Sequence, residues 1–111
     1  MNETDDLVYI KHVMDAIDAI EEYTKKMRQE DFLKDRKTQD AVIRELSVIG
    51  EATALISGPF KMKHKDMPWA EMIGTQNEAI HGYFSIDLNT IWEIVVNDLP
   101  KLRRRLRSLV K

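Results

Sequence analysis

Residues 38–57, "TQDAVIRELSVIGEATALIS", decide the fold. Thr38 is a good helix cap, and the apolar residues after it recur at helical spacing up to the "SGP" stop at 57–59. Val42, Leu46, Ile49 and Ile56 form one apolar stripe. Ala41, Val48, Ala52 and Leu55 form a second. A helix that is apolar on two sides is buried on two sides, and in a chain this short the second side fits a subunit interface. Asp40, Arg44, Ser47 and Glu51 share a third, polar stripe. That stripe reads equally well as a solvated face or as one wall of a polar cleft.

Outward from this helix the rest is also helical. Residues 5–28 carry Leu7, Ile10, Val13, Met14, Ile17, Ile20 and Met27 in one stripe, with acids and lysines between. The "QEDFLKD" segment (29–35) is a turn, with Phe32 and Leu33 expected to tuck onto the core. "KMKHKDMPW" (61–69) is a basic connection, where Pro68 suits the first turn of a new helix and Asp66 lies near its cap. Gly74 interrupts that helix, "TQNE" (75–78) has the pattern of a capping box that restarts it, and Gly82 is a natural stop. Asp87 caps a last helix. Pro100 must kink or break it, and Asp98 is placed to recap the segment beyond. No strand pattern is present. The expectation is an all-α chain: one domain over residues 1–111, built as an antiparallel bundle of four or five helices and paired as a homodimer.

Composition narrows the function classes. A chain of 111 residues that is 43% hydrophobic and 32% charged can fold as a globular domain and is not a disordered segment. It has no cysteine, so disulfides and thiolate metal sites are excluded. No apolar run is long enough to span a bilayer, and "MNETDDLVY" (1–9) is acidic where a signal peptide would be basic. A cytoplasmic protein without membrane contact is the expectation.

Charge is uneven. The last eleven residues, "KLRRRLRSLVK", hold six cations and no acid, which leaves −8 on the first hundred given a net charge of −2. Arg103, Arg104, Arg105 and Arg107 could meet RNA phosphates. They could equally be the solvated side of a helix that packs Leu102, Leu106 and Leu109 inward. Lys61, Lys63 and Lys65 form a smaller basic run that reads as solvated.

The chemistry concentrates in "GTQNEAIHGYF", residues 74–84. If 75–81 is helical, Asn77 and His81 stand four residues apart on one face, so that the amide can orient the imidazole. The helix dipole and Glu78 both favour the protonated ring. A histidine so placed can act as general acid or base, although a lone histidine at a helix end is also a common cap. His12 and His64 show no zinc spacing, and no phosphate-cradling glycine loop, nucleophile elbow or RNA-recognition aromatic motif occurs.

The order of features resembles the HepT-like branch of the HEPN superfamily. The carriers are "AVIRELSVIGEA" (Ala41–Ala52), "MPWAEMIG" (Met67–Gly74), "NEAIHGYFSID" (Asn77–Asp87) and "IWEIVVNDLPKL" (Ile91–Leu102). The family signature is an arginine, four intervening residues, a histidine, one residue and a tyrosine. Here His81 and Tyr83 fill their slots, and Gln76 stands where the arginine belongs.

The resemblance implies a metal-independent ribonuclease that needs no cofactor, active as a homodimer whose two motifs line one cleft. It also implies a partner, a minimal nucleotidyltransferase antitoxin that transfers AMP to the motif tyrosine, here Tyr83. Such cleavage needs a base for the ribose 2′-hydroxyl, an acid for the leaving 5′-oxygen and a cation against the growing phosphorane charge. His81 supplies proton transfer. Gln76 donates hydrogen bonds but carries no charge, so Arg44 or a C-terminal arginine is the candidate substitute. Three readings of Gln76 stay open: a weakened nuclease, a degenerate scaffold that only binds, or an inactivating change in an ordinary toxin.

Overall fold

The computed structural model describes residues 3–74 and 87–110. All regular structure among them is helical: α1 (Glu3–Thr24), α2 (Gln29–Leu33), α3 (Arg36–Leu55), α4 (Gly58–Lys63), α5 (residues 69–74), α6 (Leu88–Glu93), a π-helical turn (Ile94–Asp98) and α7 (Leu99–Leu109). The all-α expectation holds.

The α1 stripe packs as its spacing predicts, with Ile10, Val13, Ile17 and Ile20 buried against the buried stripe of α3, Val42, Leu46 and Ile49. Helix α1 ends at Thr24, whose hydroxyl donates to the Ile20 carbonyl at 2.9 Å. Lys26, with φ of 69°, then turns the chain through the left-handed region. The two long helices run antiparallel. The start of α1 meets the end of α3, where the buried Asp6 carboxylate accepts from the Ser57 amide at 2.7 Å and the Ser57 hydroxyl at 2.8 Å.

Four local expectations are corrected. Helix α3 is capped by Asp35 and not by Thr38, so it begins at Arg36. The Asp35 carboxylate accepts from the Thr38 amide at 3.1 Å and the Thr38 hydroxyl at 2.8 Å, and an anion suits the positive end of a helix better than a hydroxyl does. The "QEDFL" segment is a short helix. In it Phe32 is fully buried and Leu33 is exposed, because adjacent helical residues point about 100° apart and cannot share one face. The "SGP" stop is also a start: Ser57 caps α4 with Pro59 in its first turn, so part of the basic connection is helical. Pro100 neither breaks the helix nor needs Asp98 as a cap. The chain widens into the π turn, where the Leu99 amide reaches the Ile94 carbonyl five residues back and Asp98 keeps helical dihedrals without a side-chain cap bond. A wider turn accommodates a ring that would otherwise meet the carbonyl four residues earlier.

The second α3 stripe is less uniform than its spacing implies. Ala52 is buried, Ala41 and Val48 are half-buried, and Leu55 is 52% exposed.

Two caps carry a pH signature. The Thr38 amide and hydroxyl hold the Asp35 carboxyl below its ordinary range, and the Thr90 hydroxyl and amide do the same for Asp87. A depressed folded-state pKa contributes stability above the ordinary carboxylate range of about 4, and that contribution is lost as pH falls through the folded values. Melting temperature should therefore drop below about pH 4, and an Asp35→Asn/Asp87→Asn variant, which keeps both caps, should show a shallower drop. Identical acid limbs in thermal melts of the two proteins would refute this.

Candidate functional site

Gln76, Asn77, Glu78, His81 and Tyr83 lie outside the described residues, as do the restart expected at Thr75 and the stop at Gly82. The structure does describe the frame on either side. Upstream, Trp69 and Met72 of α5 are buried, and the Trp69 indole N–H donates to the His64 carbonyl at 3.0 Å. The Met72 amide bonds to the Pro68 carbonyl at 3.1 Å, which puts Pro68 at the cap, one residue before α5, and not in its first turn as expected. Downstream, Asp87 caps α6 by accepting from the Asn89 amide at 2.9 Å and the Thr90 amide at 3.4 Å, and Ile91 and Trp92 are buried. Entry to and exit from the strip are thus fixed to the core by large apolar side chains.

Arg44 is exposed on α3, and none of the described residues pairs with it. Its stripe is mostly in solvent: Asp40 and Glu51 are exposed, and Arg36 approaches Asp40 at 3.8 Å. Ser47 is half-buried and donates to the Ile43 carbonyl at 3.1 Å.

The basic tail divides into different environments. Leu106 is buried and Leu102 and Leu109 half-buried, as the helical spacing predicts. Arg103 faces α1, with guanidinium nitrogens 2.9 Å from Asp18 and 2.8 Å from Glu21. Arg105 donates to the backbone carbonyl of Asp66. Arg104 and Arg107 are exposed, with no partner found among the described residues. The sequence reading missed the acidic partners of Arg103. Their only signal is the three-residue spacing of Asp18 and Glu21 on one face of α1. A cavity of about 560 Å³ opens between α3, the 66–72 segment and the π turn with α7; Leu46 and Ile49 form part of its lining, with Asp66, Lys101 and Arg105. No helix among the described residues is long and apolar enough to cross a membrane.

A chain whose described residues form helices alone, with antiparallel α1 and α3, and with the histidine–tyrosine strip lying in sequence between α5 and α6, has the plan of a HEPN-type protein. The chain belongs to the HepT-like family: the model described as "Ribonuclease HepT-like" matches residues 13–109, a span that contains the whole strip. Curated relatives agree. The chain is 43% identical over 103 residues to "Probable ribonuclease HepT" of Thermococcus cleftensis, covering 93% of this chain and 94% of that protein. It is 34% identical over 106 residues to "Putative RNase MJ1380" of Methanocaldococcus jannaschii, covering 96% and 97%. A match of 36% identity to "Gamma-glutamylcyclotransferase and putative RNase MJ0434" of the same organism covers 94% of this chain but 47% of that protein. No solved structure matches the chain. The family and these relatives support an RNase-type function.

Proposed function

We propose that the chain is a metal-independent endoribonuclease, a single domain that works as a cytoplasmic homodimer and serves as the toxin of a toxin–antitoxin pair. The observation that supports this reading is the family match over residues 13–109, a span that includes 74–84, together with the spacing of His81 and Tyr83 in the sequence. In this reading His81 moves the proton between the ribose 2′-hydroxyl and the leaving 5′-oxygen, and Asn77 orients its ring. Gln76 hydrogen-bonds the phosphate, and Arg44 supplies the charge that Gln76 lacks. Tyr83 is the control point: AMP placed there by a nucleotidyltransferase antitoxin would set a bulky anion where an RNA phosphate must sit.

Gln76 itself favours a second reading. Without the motif arginine, the chain could keep fold and dimer as a catalytically degenerate scaffold for the nucleotidyltransferase or a nucleotide. A cleavage assay in chelator separates the two. The nuclease reading expects slow RNA cleavage by the wild type and at least a hundredfold less by His81→Ala, in line with the ~10²–10⁴ that general acid–base catalysis contributes. No cleavage by either the wild type or Gln76→Arg at high enzyme concentration leaves the scaffold reading standing.

A further inference from the structure

We propose that the turn after α4 and one flank of α7 form a composite basic surface that binds the phosphate backbone of RNA. The proposal rests on the ribonuclease reading for the identity of the polyanion, but its geometry does not. The sequence keeps its two basic runs about forty residues apart, and the structure joins them at one contact, the Arg105 guanidinium on the Asp66 carbonyl.

Helix geometry decides which cations take part. At 3.6 residues per turn, Arg103 and Arg105 point to opposite flanks of α7 once Leu106 faces the core. Arg103 goes to α1, where Asp18 and Glu21 neutralise it. Lys101 and Arg105, four residues apart, share the other flank and line one cavity with Asp66 and Pro68. Arg104 is exposed next to them, and Lys65 is exposed beside Asp66.

The turn that presents Lys65 is rigidly held. The His64 ring packs 4.6 Å from the buried Phe60 ring, the His64 carbonyl takes the Trp69 indole hydrogen bond, and Met67 is buried. A cation on such a turn loses less freedom on meeting a ligand than one on a loose loop.

Three carboxylates, Asp66, Glu71 and Asp98, line the same cavity. They select against a small anion, which would meet both signs at once. A chain of phosphates can instead engage Lys65, Lys101, Arg104 and Arg105 together. The occupant is therefore a polyanion and not free phosphate.

The test uses a labelled 2′-O-methyl RNA oligonucleotide, which cannot be cleaved through its 2′-oxygen, titrated with full-length protein across a salt series. Each phosphate contact on a single strand contributes about 0.7 to the slope of log affinity against log salt. Lys65→Gln/Lys101→Gln/Arg104→Gln should lower the slope by about 2 and weaken binding on the order of a hundredfold at 0.1 M salt. The same charge change at exposed Lys11, Lys34 and Lys37 should leave the slope as it was. The proposal is overturned by any of three results: no RNA binding at low salt, an equal loss in the control variant, or displacement of RNA by polyglutamate at matched charge, which would assign the surface to an acidic protein. Cleavage of unmodified RNA, read in parallel, separates the two hypotheses. Cleavage without surface-dependent binding sinks this surface alone, and surface-dependent binding without cleavage by either the wild type or Gln76→Arg sinks the nuclease reading alone.

Discussion

Gln76→Arg should raise chelator-resistant RNA cleavage by about 10²–10³-fold, because one preorganised donor at a developing oxyanion is worth that much where it has been removed. Phosphoryl chemistry on RNA builds negative charge on the phosphorane oxygens, and a guanidinium meets two of them at once with a fixed positive charge. A glutamine amide offers hydrogen bonds alone, and in the nuclease reading Glu78, two residues on in the sequence, would oppose the phosphate further. The gain should appear mainly in kcat, since the added charge is most complementary to the transition state. It should also need His81, so that Gln76→Arg/His81→Ala is as inactive as His81→Ala. Arg44 sharpens the result through a double-mutant cycle. If Arg44 already supplies the charge, Arg44→Ala should cripple the wild type and have little effect in the Gln76→Arg background. Equal effects in both backgrounds would remove Arg44 from the site. A flat response to Gln76→Arg, with the fold intact, would leave a scaffold that has lost more than one arginine.

Legibility in the sequence tracks the range of the physics involved. The stripes of α1 and of the inner α3 face were legible because burial and a 3.6-residue period leave a pattern within a few turns, and Ile10, Ile17, Leu46 and Ile49 are all buried. Choices between neighbours were not. Asp35 and Thr38 are both good caps three residues apart, and only the structure shows the threonine hydroxyl donating to the aspartate. Pro100 announced a disturbance, but whether a helix breaks or widens depends on packing that Trp92, Val95 and Leu99 provide around it. The ion pair of Arg103 with Glu21 joins residues 82 apart in sequence and exists because α7 lies on α1. The candidate site was legible in another way. His81 and Tyr83 stand out as residue types in a spaced motif, and the family match extends across them, whereas mutual geometry is something a motif never encodes.

Phe32→Ala should cost about 3–5 kcal/mol, the range for emptying a fully buried aromatic site. Phe32 has no exposed surface and sits 5.3 Å, ring centre to ring centre, from Trp92 on α6. Its helix has five residues, too few to persist without tertiary contacts, so the ring holds α2 in place more than α2 holds the ring. The Phe32 carbonyl also accepts from the Gln39 side chain at 2.9 Å, which ties α2 to the first turns of α3. One ring thus joins the corner between the long helices to the element that starts after the His81 strip. Domains of this size have about 5–15 kcal/mol in total, so the variant would lose roughly a fifth or more of its stability and melt roughly 15–30 °C lower. Leu33→Ala, one residue along and exposed, should stay within about 0.5 kcal/mol of the wild type. The contrast is the measurement: paired thermal or urea melts in which the two variants behave alike would mean that the corner does not pack as described. Asn89 on α6 bonds to Gln29 on α2 at 2.7 Å, so loosening α2 should also free the start of α6. RNA cleavage by Phe32→Ala should then fall with temperature well before that of the wild type, and at temperatures where both are folded the two rates should agree.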